Sequence, residues 1–192
     1  MIRKLSKKEQ ILDAALKLVS KKNSFDFTIR EIAKEADVNI AAINYYFKSK
    51  SRLFIEMEKL FTDNYFDAFT PLEDDSLSDT EKLTGWLNKA ISYGSHYPGI
   101  LVLLRRKYEN PESASDKLMK ADFMKKVMKL KALFASVIGS REDEQDKLFA
   151  AFCATLVFPF IMDSVEKNLN IVKDEQEHLQ LMLLLINKFK ER

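Results

Sequence analysis

Residues 28–50, TIREIAKEADVNIAAINYYFKSK, constrain this chain more than any other stretch. They spell two short helices joined by a tight turn and running into a third. Thr28 and Glu31 form a capping box, in which each side chain satisfies a backbone N–H at the start of the helix. Ile29, Ile32, Ala33 and Ala36 then share one face. Asp37-Val38-Asn39 breaks the period. Asp and Asn enter the left-handed region more readily than other non-glycine residues, and Asn39 is a good N-cap for the second helix. That helix, from Ile40 to Phe47, has two unlike sides. At about 100° per residue, Ile43 and Phe47 lie with Val38, while Ala41, Ala42, Asn44 and Tyr45 point away from them. Anchored by two apolar residues and presenting small, amide and phenol side chains outward, such a helix suits a major groove. Lys48, Lys50 and Arg52 come next, where phosphates lie. The segment reads as a helix-turn-helix.

The stretch from about Ile11 to Phe54 closely resembles the N-terminal domain of the TetR family of transcriptional regulators. The resemblance is carried by ILDAALKLV, then by T-IREIAKEA-DV, then by IAAINYYFKSKSRLF with its aromatic pair, its lysine and its following leucine. It covers roughly a quarter of the chain. Two positions depart from the family pattern. Asp37 stands where the family usually has a turn glycine, and Asn23-Ser24 stand where it has glycine after the first helix. Both substitutes tolerate a left-handed backbone, and Asp37 adds a negative charge near the DNA face.

The resemblance implies base contacts from Ile40, Ala41, Ala42, Asn44 and Tyr45, and phosphate contacts from Thr28, Tyr46 and Lys50. Arg30, Asn39 and Lys48 complete the expected DNA-binding set. Side-chain chemistry permits this division. Asn44 can bond adenine N6 and N7 together, and Ile40, Ala41 and Ala42 can meet thymine methyls. No arginine stands on the reading face to grip guanine; Arg30, on the preceding helix, is the nearest. The expectation is an A·T-rich palindromic operator.

Charge is divided along the chain in the same sense. The net charge is +2, yet residues 1–53 hold twelve Lys/Arg against six Asp/Glu, and the remainder nineteen against twenty-three. A basic head on an acidic body is what a DNA-binding domain joined to a non-binding one shows. The expected division is 1–48 for the helix-turn-helix domain and 49–192 for a helical ligand-binding and dimerisation domain. With four glycines, four prolines and 46% hydrophobic residues, the expected fold class is all-α. One cysteine, Cys153, rules out a disulfide framework within the chain and fits a reducing cytoplasm. MIRKLSKKEQ lacks the apolar core of a signal peptide, and the apolar run Leu148–Met162 is shorter than a membrane span and contains Pro159.

Further caps punctuate the chain at Ser6/Glu9, Ser49, Ser78/Glu81 and Asp174/Glu177. Arg3 and Lys4 form a short basic arm. Pro71–Asp79 reads as a loop, Gly94 and Pro98-Gly99 as punctuation, Ile100–Tyr108 as a short helix, and Leu118–Ile138 as part of a long one stopped by Gly139. LFAAFCATLVFPFIM is apolar all round, so a body of this size hides one face and a partner subunit the other. The final helix also exceeds one apolar stripe. Homodimerisation is therefore expected through about Glu142–Leu169 and Asp174–Phe189, as a four-helix interface.

No catalytic constellation emerges. His96, Cys153 and Asp163 are the residue types of a Cys-His hydrolase, but nothing in the sequence places them together, and no nucleophile-elbow or phosphate-loop glycines occur. No cofactor or metal is implied. Members of the family generally bind an inducer in the body, and Trp86, Tyr93, His96, Tyr97, Phe123, Phe149, Phe152 and Cys153 are the expected liners of an apolar site. The leading expectation is a cytoplasmic, ligand-responsive dimeric regulator, more often a repressor. The opposing one is a helical dimer that binds a hydrophobic molecule or a protein, with DNA binding weak or lost.

Overall fold

The computed structural model describes residues 6–22, 24–97, 114–165 and 172–191, with side chains throughout except at 61, 64, 65, 114–119 and 162–165. Every regular element among them is helical: α1 (Lys7–Lys22), α2 (Ile29–Glu35), α3 (Ile40–Phe47), α4 (Lys50–Ala68), a 3-10 turn (Thr70–Glu73), α5 (Asp79–His96), α6 (Ala114–Ile138), α7 (Gln145–Val165) and α8 (Glu175–Lys190). The basic arm at Arg3 and Lys4, the helix over Ile100–Tyr108 and the dimer helix beyond Val165 fall outside the described residues. No helix among the described residues is long and apolar enough to cross a membrane.

Most helices start where a side chain can hold their first N–H groups. Ser6 and Glu9 cap each other across 2.8 and 3.2 Å, and Thr28 and Glu31 do the same at 2.8 and 3.2 Å. Asn39 Oδ1 accepts from Ala42 N at 2.7 Å, and Ser49 Oγ from Arg52 N at 3.1 Å. Ser78 pairs with Glu81, and Asp174 accepts from Glu177 N at 2.8 Å. Each such cap stabilises its helix by about 1 kcal/mol. At the other end of α6, Gly139 takes φ +64°, the left-handed stop expected of it.

Packing builds a head and a body on one continuous core. In the head, α1 lies on α2 and α4, and α3 on α2 and α4. Ile11, Ala15, Phe27, Ile32, Ile43, Phe47 and Leu53 are all essentially inaccessible there. In the body, α5 is the central helix, touching α4, α6, α7 and α8. Its buried face is Leu83, Trp86, Leu87, Ile91 and Gly94. The helix α4 belongs to both parts, with Leu53 and Met57 under the head and Ala68 and Phe69 in the body.

Two local expectations change. Gly94 does not punctuate the chain; it lies inside α5, buried against the Phe160 ring, whose Cζ would sit 2.5 Å from a Cβ at that position. Glycine here marks a close helix crossing rather than a helix end. The start of the expected Pro71–Asp79 loop is instead wound into the 3-10 turn, which Pro71 favours at its first positions.

The helix α7 buries Leu148, Phe152 and Leu156 and leaves Phe158 and Ile161 half exposed. Pro159 inside it has no N–H, so the carbonyl four residues back, on Thr155, loses its helical donor. His178 of α8, 1% exposed, supplies the replacement, donating to the Thr155 and Leu156 carbonyls. Its Nε2 stays unpartnered among the described residues, and burial holds its pKa below the ordinary 6.5.

Candidate functional site

The head presents α3 as the sequence pattern requires. Ile43 and Phe47 are each 1% exposed and fix the helix to the core, while Tyr45 is 72% exposed. Ile40, Ala41, Asn44 and Tyr46 are exposed beside it, and Ala42 is half-buried. The turn ahead of α3 is tight because Asp37 adopts φ +50°. Aspartate tolerates this left-handed backbone at some cost that glycine would not incur. Asn39 has its Oδ1 committed to the N-terminus of α3, which leaves its amide N–H groups for an external acceptor. At the far end, Lys48 also turns left-handed, φ +62°, and its ammonium lies 5.6 Å from the Tyr45 ring centroid.

Lys50 carries the junction between the helices. Its Nζ donates to the Phe27 carbonyl at 2.5 Å and sits over the rings of Phe27 and Phe54. This places a cation beside Thr28, at the positive end of α2, with two of its three N–H groups uncommitted to that carbonyl. Thr28 is exposed at the same end. Glu31 is engaged at the surface by the cap and by Lys22 at 2.6 Å; the Lys22 hydrogen bond and then the Thr28 backbone hold its pKa at about 2. Lys21 is paired with Glu35 at 2.7 Å. By contrast Arg30 is exposed and has no ion-pair partner among the described residues, which leaves it available on the same face. Glu31 and Glu35 are thus paired with lysines of α1, while Arg30 on α2, Lys48 at the C-cap of α3 and Lys50 at the start of α4 stand outside those pairs.

The body holds an apolar cavity of about 220 Å³ between α4, α5, α6 and α7. Of the residues expected to line it, Trp86, Tyr93, Phe123, Phe149 and Cys153 do so. Phe152 is fully buried behind it, stacked on Phe149 and tilted against Phe134. His96 and Tyr97 stand elsewhere. His96 Nε2 lies 3.2 Å from Asp13 Oδ1, which sets the end of α5 against α1, with Lys17 on the other Asp13 oxygen at 2.8 Å. His96 and Cys153 are therefore engaged in separate places. Sequence reasoning missed the contributions of Ala68 and Phe69 from the end of α4, and of Gly94 and Phe160 where α5 crosses α7. Gly94 carried a readable signal, a glycine within an apolar helical period; the α4 residues carried none.

Tyr93 connects this cavity to α4. Its hydroxyl donates to Asp67 Oδ2 at 2.7 Å, and Lys89 Nζ meets the same oxygen at 2.9 Å. Burial first, and then the Asp67 bond, raise the phenol pKa to about 12, while the Tyr93 and Lys89 hydrogen bonds lower that of Asp67.

Comparison with known proteins bears on both parts. Residues 11–57 match the model of the bacterial regulatory proteins of the TetR family. Over 147 residues the chain is 29% identical to the "Probable HTH-type transcriptional regulator YttP" of Bacillus subtilis (strain 168), spanning 76% of this chain and 69% of that one. The ketosteroid transcriptional regulator KstR2 of Mycobacterium tuberculosis has a similar fold, with a TM-score of 0.70 at 15% identity over 97% of this chain and 96% of the other. A TetR-like transcriptional regulator from Rhodococcus sp. RHA1 superposes with a TM-score of 0.62 at 16% identity, covering 98% and 97%. The matched segment runs through the turn, the exposed helix and the α4 junction, and the helical body beneath it has the fold of the same regulators. Residues 11–57 are thus a helix-turn-helix segment of the TetR type, and the described chain as a whole has the helical fold of such regulators.

Proposed function

We propose that the protein is a homodimeric repressor, released from a palindromic operator when a small hydrophobic or aromatic molecule enters the body cavity. The functional division is the head, residues 1–48, and the body, residues 49–192. The observation that carries this reading is the double membership of α4. Leu53 and Met57 are wholly buried at the head end, and Ala68 and Phe69 line the cavity at the other. The helix spans roughly 27 Å at 1.5 Å per residue. A ligand that pushes on its C-terminal end moves a lever whose other end holds α3 and Lys50. Ligand then favours the body arrangement in which the two heads are misplaced for successive major grooves.

In the bound state Ile40, Ala41, Ala42, Asn44 and Tyr45 meet base edges, with Asn39 at the start of the helix and Arg30 reaching from α2. Thr28, Tyr46, Lys48 and Lys50 meet phosphates. The absence of an arginine on α3 favours A·T-rich half-sites. The partner subunit covers the outer face of α7 and α8, where an open apolar groove is lined by Ala154, Val157, Phe158, Pro159, Ile161 and Leu181 and Leu184 is 56% exposed. Contiguous apolar surface of this kind marks an interface.

Selection of bound duplexes from a random pool tests the reading. The expected product is a palindromic, A·T-rich motif that a Tyr46→Ala, Lys50→Ala double variant no longer enriches. Half-sites that are mostly G·C would refute the assignment of α3, and a dimer that enriches no motif would refute the operator.

A further inference from the structure

Two stripes run side by side along α5. Residues four apart on a helix share a face, and Gly85, Lys89 and Tyr93 all meet the end of α4 or the 3-10 turn that follows it. A Cβ on Gly85 would sit 3.0 Å from Pro71 Cβ, so the turn lies directly on the helix there. Lys89 Nζ reaches the Asp67 carbonyl at 3.1 Å, Asp67 Oδ2 at 2.9 Å and Thr70 Oγ1 at 2.9 Å, one acceptor for each of its three N–H groups. Tyr93 donates its hydroxyl to the same Asp67 Oδ2 at 2.7 Å. Hydrogen bonds to a charged partner are roughly twice as strong as neutral ones. The end of α4 is clamped to α5.

The neighbouring stripe, Trp86, Ala90 and Gly94, lines the cavity. Tyr93 lines it too, and among the described residues of α5 it alone belongs both to the wall and to the clamp. We infer that Tyr93 is the residue that transmits occupancy of the cavity to α4. With the cavity empty, its bond to Asp67 holds the end of α4 in the arrangement that suits DNA. An occupant that displaces the Tyr93 ring draws the hydroxyl away from Asp67 and frees that end. Ala68 and Phe69 follow Asp67 directly, so an occupant's contact with them moves α4 only once the clamp opens. The inference rests on the reading of the cavity as the effector site. Tyr93 is then a positioning residue for α4, and through α4 for the reading helix α3.

The full-length protein, the duplex obtained by selection and naphthalene provide the test. An apolar cavity of about 150 Å³ takes benzene, so about 220 Å³ has room for two fused rings. Calorimetry reads naphthalene binding, and duplex titrations with and without saturating naphthalene read the coupling. Wild type should bind the duplex about tenfold more weakly when naphthalene is present. Tyr93→Phe keeps the ring and loses the hydroxyl; it should still bind naphthalene, with the ratio falling below about twofold. Asp67→Ala should do the same from outside the cavity wall, whereas Asp67→Asn, which keeps an oxygen for the phenol, should retain most of the coupling. A merely structural Tyr93 would change the affinity for the duplex and leave the ratio as it is. Equal release of wild type and Tyr93→Phe would overturn the inference and leave the effector site standing. Naphthalene that fails to bind wild type, or binds without weakening the duplex, would overturn the effector site and the inference with it. Should Asp67→Ala not fold, the Tyr93→Phe ratio decides alone.

Discussion

Head and body solve different problems with the same kind of helix. In the head, α3 separates its duties by angle: Ile43 and Phe47 pack, and Asn44, Tyr45 and Tyr46 stand in solvent. Each residue has one job, set by its place in the helical period. In the body the jobs overlap. Trp86 is both a core residue packed on Phe69 and Phe152 and a wall of the cavity. The helix α7 packs inward through Leu148, Phe152 and Leu156 and offers an equally apolar face outward. A site written on one helix is local, whereas a site enclosed by four helices depends on how they meet.

The comparison can be broken at several points. Phe47→Ala should have the largest effect. It opens a fully buried position and should destabilise the protein by about 3–5 kcal/mol, read as a lowered thermal midpoint; loss of less than about 1 kcal/mol would mean that α3 is not anchored as described. Next comes His178→Leu in the body. It strips the donor from the Thr155 carbonyl that Pro159 leaves without a helical N–H and should cost about 1–3 kcal/mol.

The same contact sets a pH dependence. Burial lowers the His178 pKa below 6.5, so the unfolded chain binds the proton more readily. Stability is full above pH 6.5 and falls as pH drops below it towards the folded-state pKa. His178→Leu should flatten that part of a denaturation-versus-pH curve. A slope that survives the substitution would assign it to another group.

Smaller changes sharpen the head. Thr28→Ala removes one half of a capping box and should cost about 1 kcal/mol, with amide exchange quickening in the first turn of α2. Asp37→Gly should do the opposite. At φ +50° glycine relieves the backbone, for a gain of about 0.5–1 kcal/mol, and it removes a negative charge from the DNA face. Operator affinity should therefore rise; unchanged affinity would show that Asp37 does not face phosphate.

The head was legible in the sequence because its signals are short-range. Caps, the polar break at Asp37-Val38-Asn39 and the anchor spacing of Ile43 and Phe47 act within a few residues. Lys48 was the exception: nothing in its identity announces a left-handed C-cap, which the short link from α3 into α4 imposes. In the body, the helices were legible and the cavity only in part. Trp86, Tyr93, Phe123, Phe149 and Cys153 were found through their residue types, but aromatic composition does not distinguish Phe152, which packs behind the wall, from Phe160, which forms it. His96 was expected at the ligand and instead meets Asp13, a pairing over a long sequence separation with no periodic trace. Ala68 and Phe69 were invisible for the same reason.

The salt dependence of binding to a selected duplex tests most directly the claim that α3 reads bases while its flanks hold phosphates. Wild type should show a slope of several units in log K against log [salt], with each phosphate contact contributing about −0.9. Lys50→Ala should make that slope shallower by about one unit and leave the preferred sequence unchanged. Asn44→Ala should leave the slope intact and relax preference at one base pair. A wild-type slope below one unit, or a change in preferred sequence with Lys50→Ala but not with Asn44→Ala, would contradict the account.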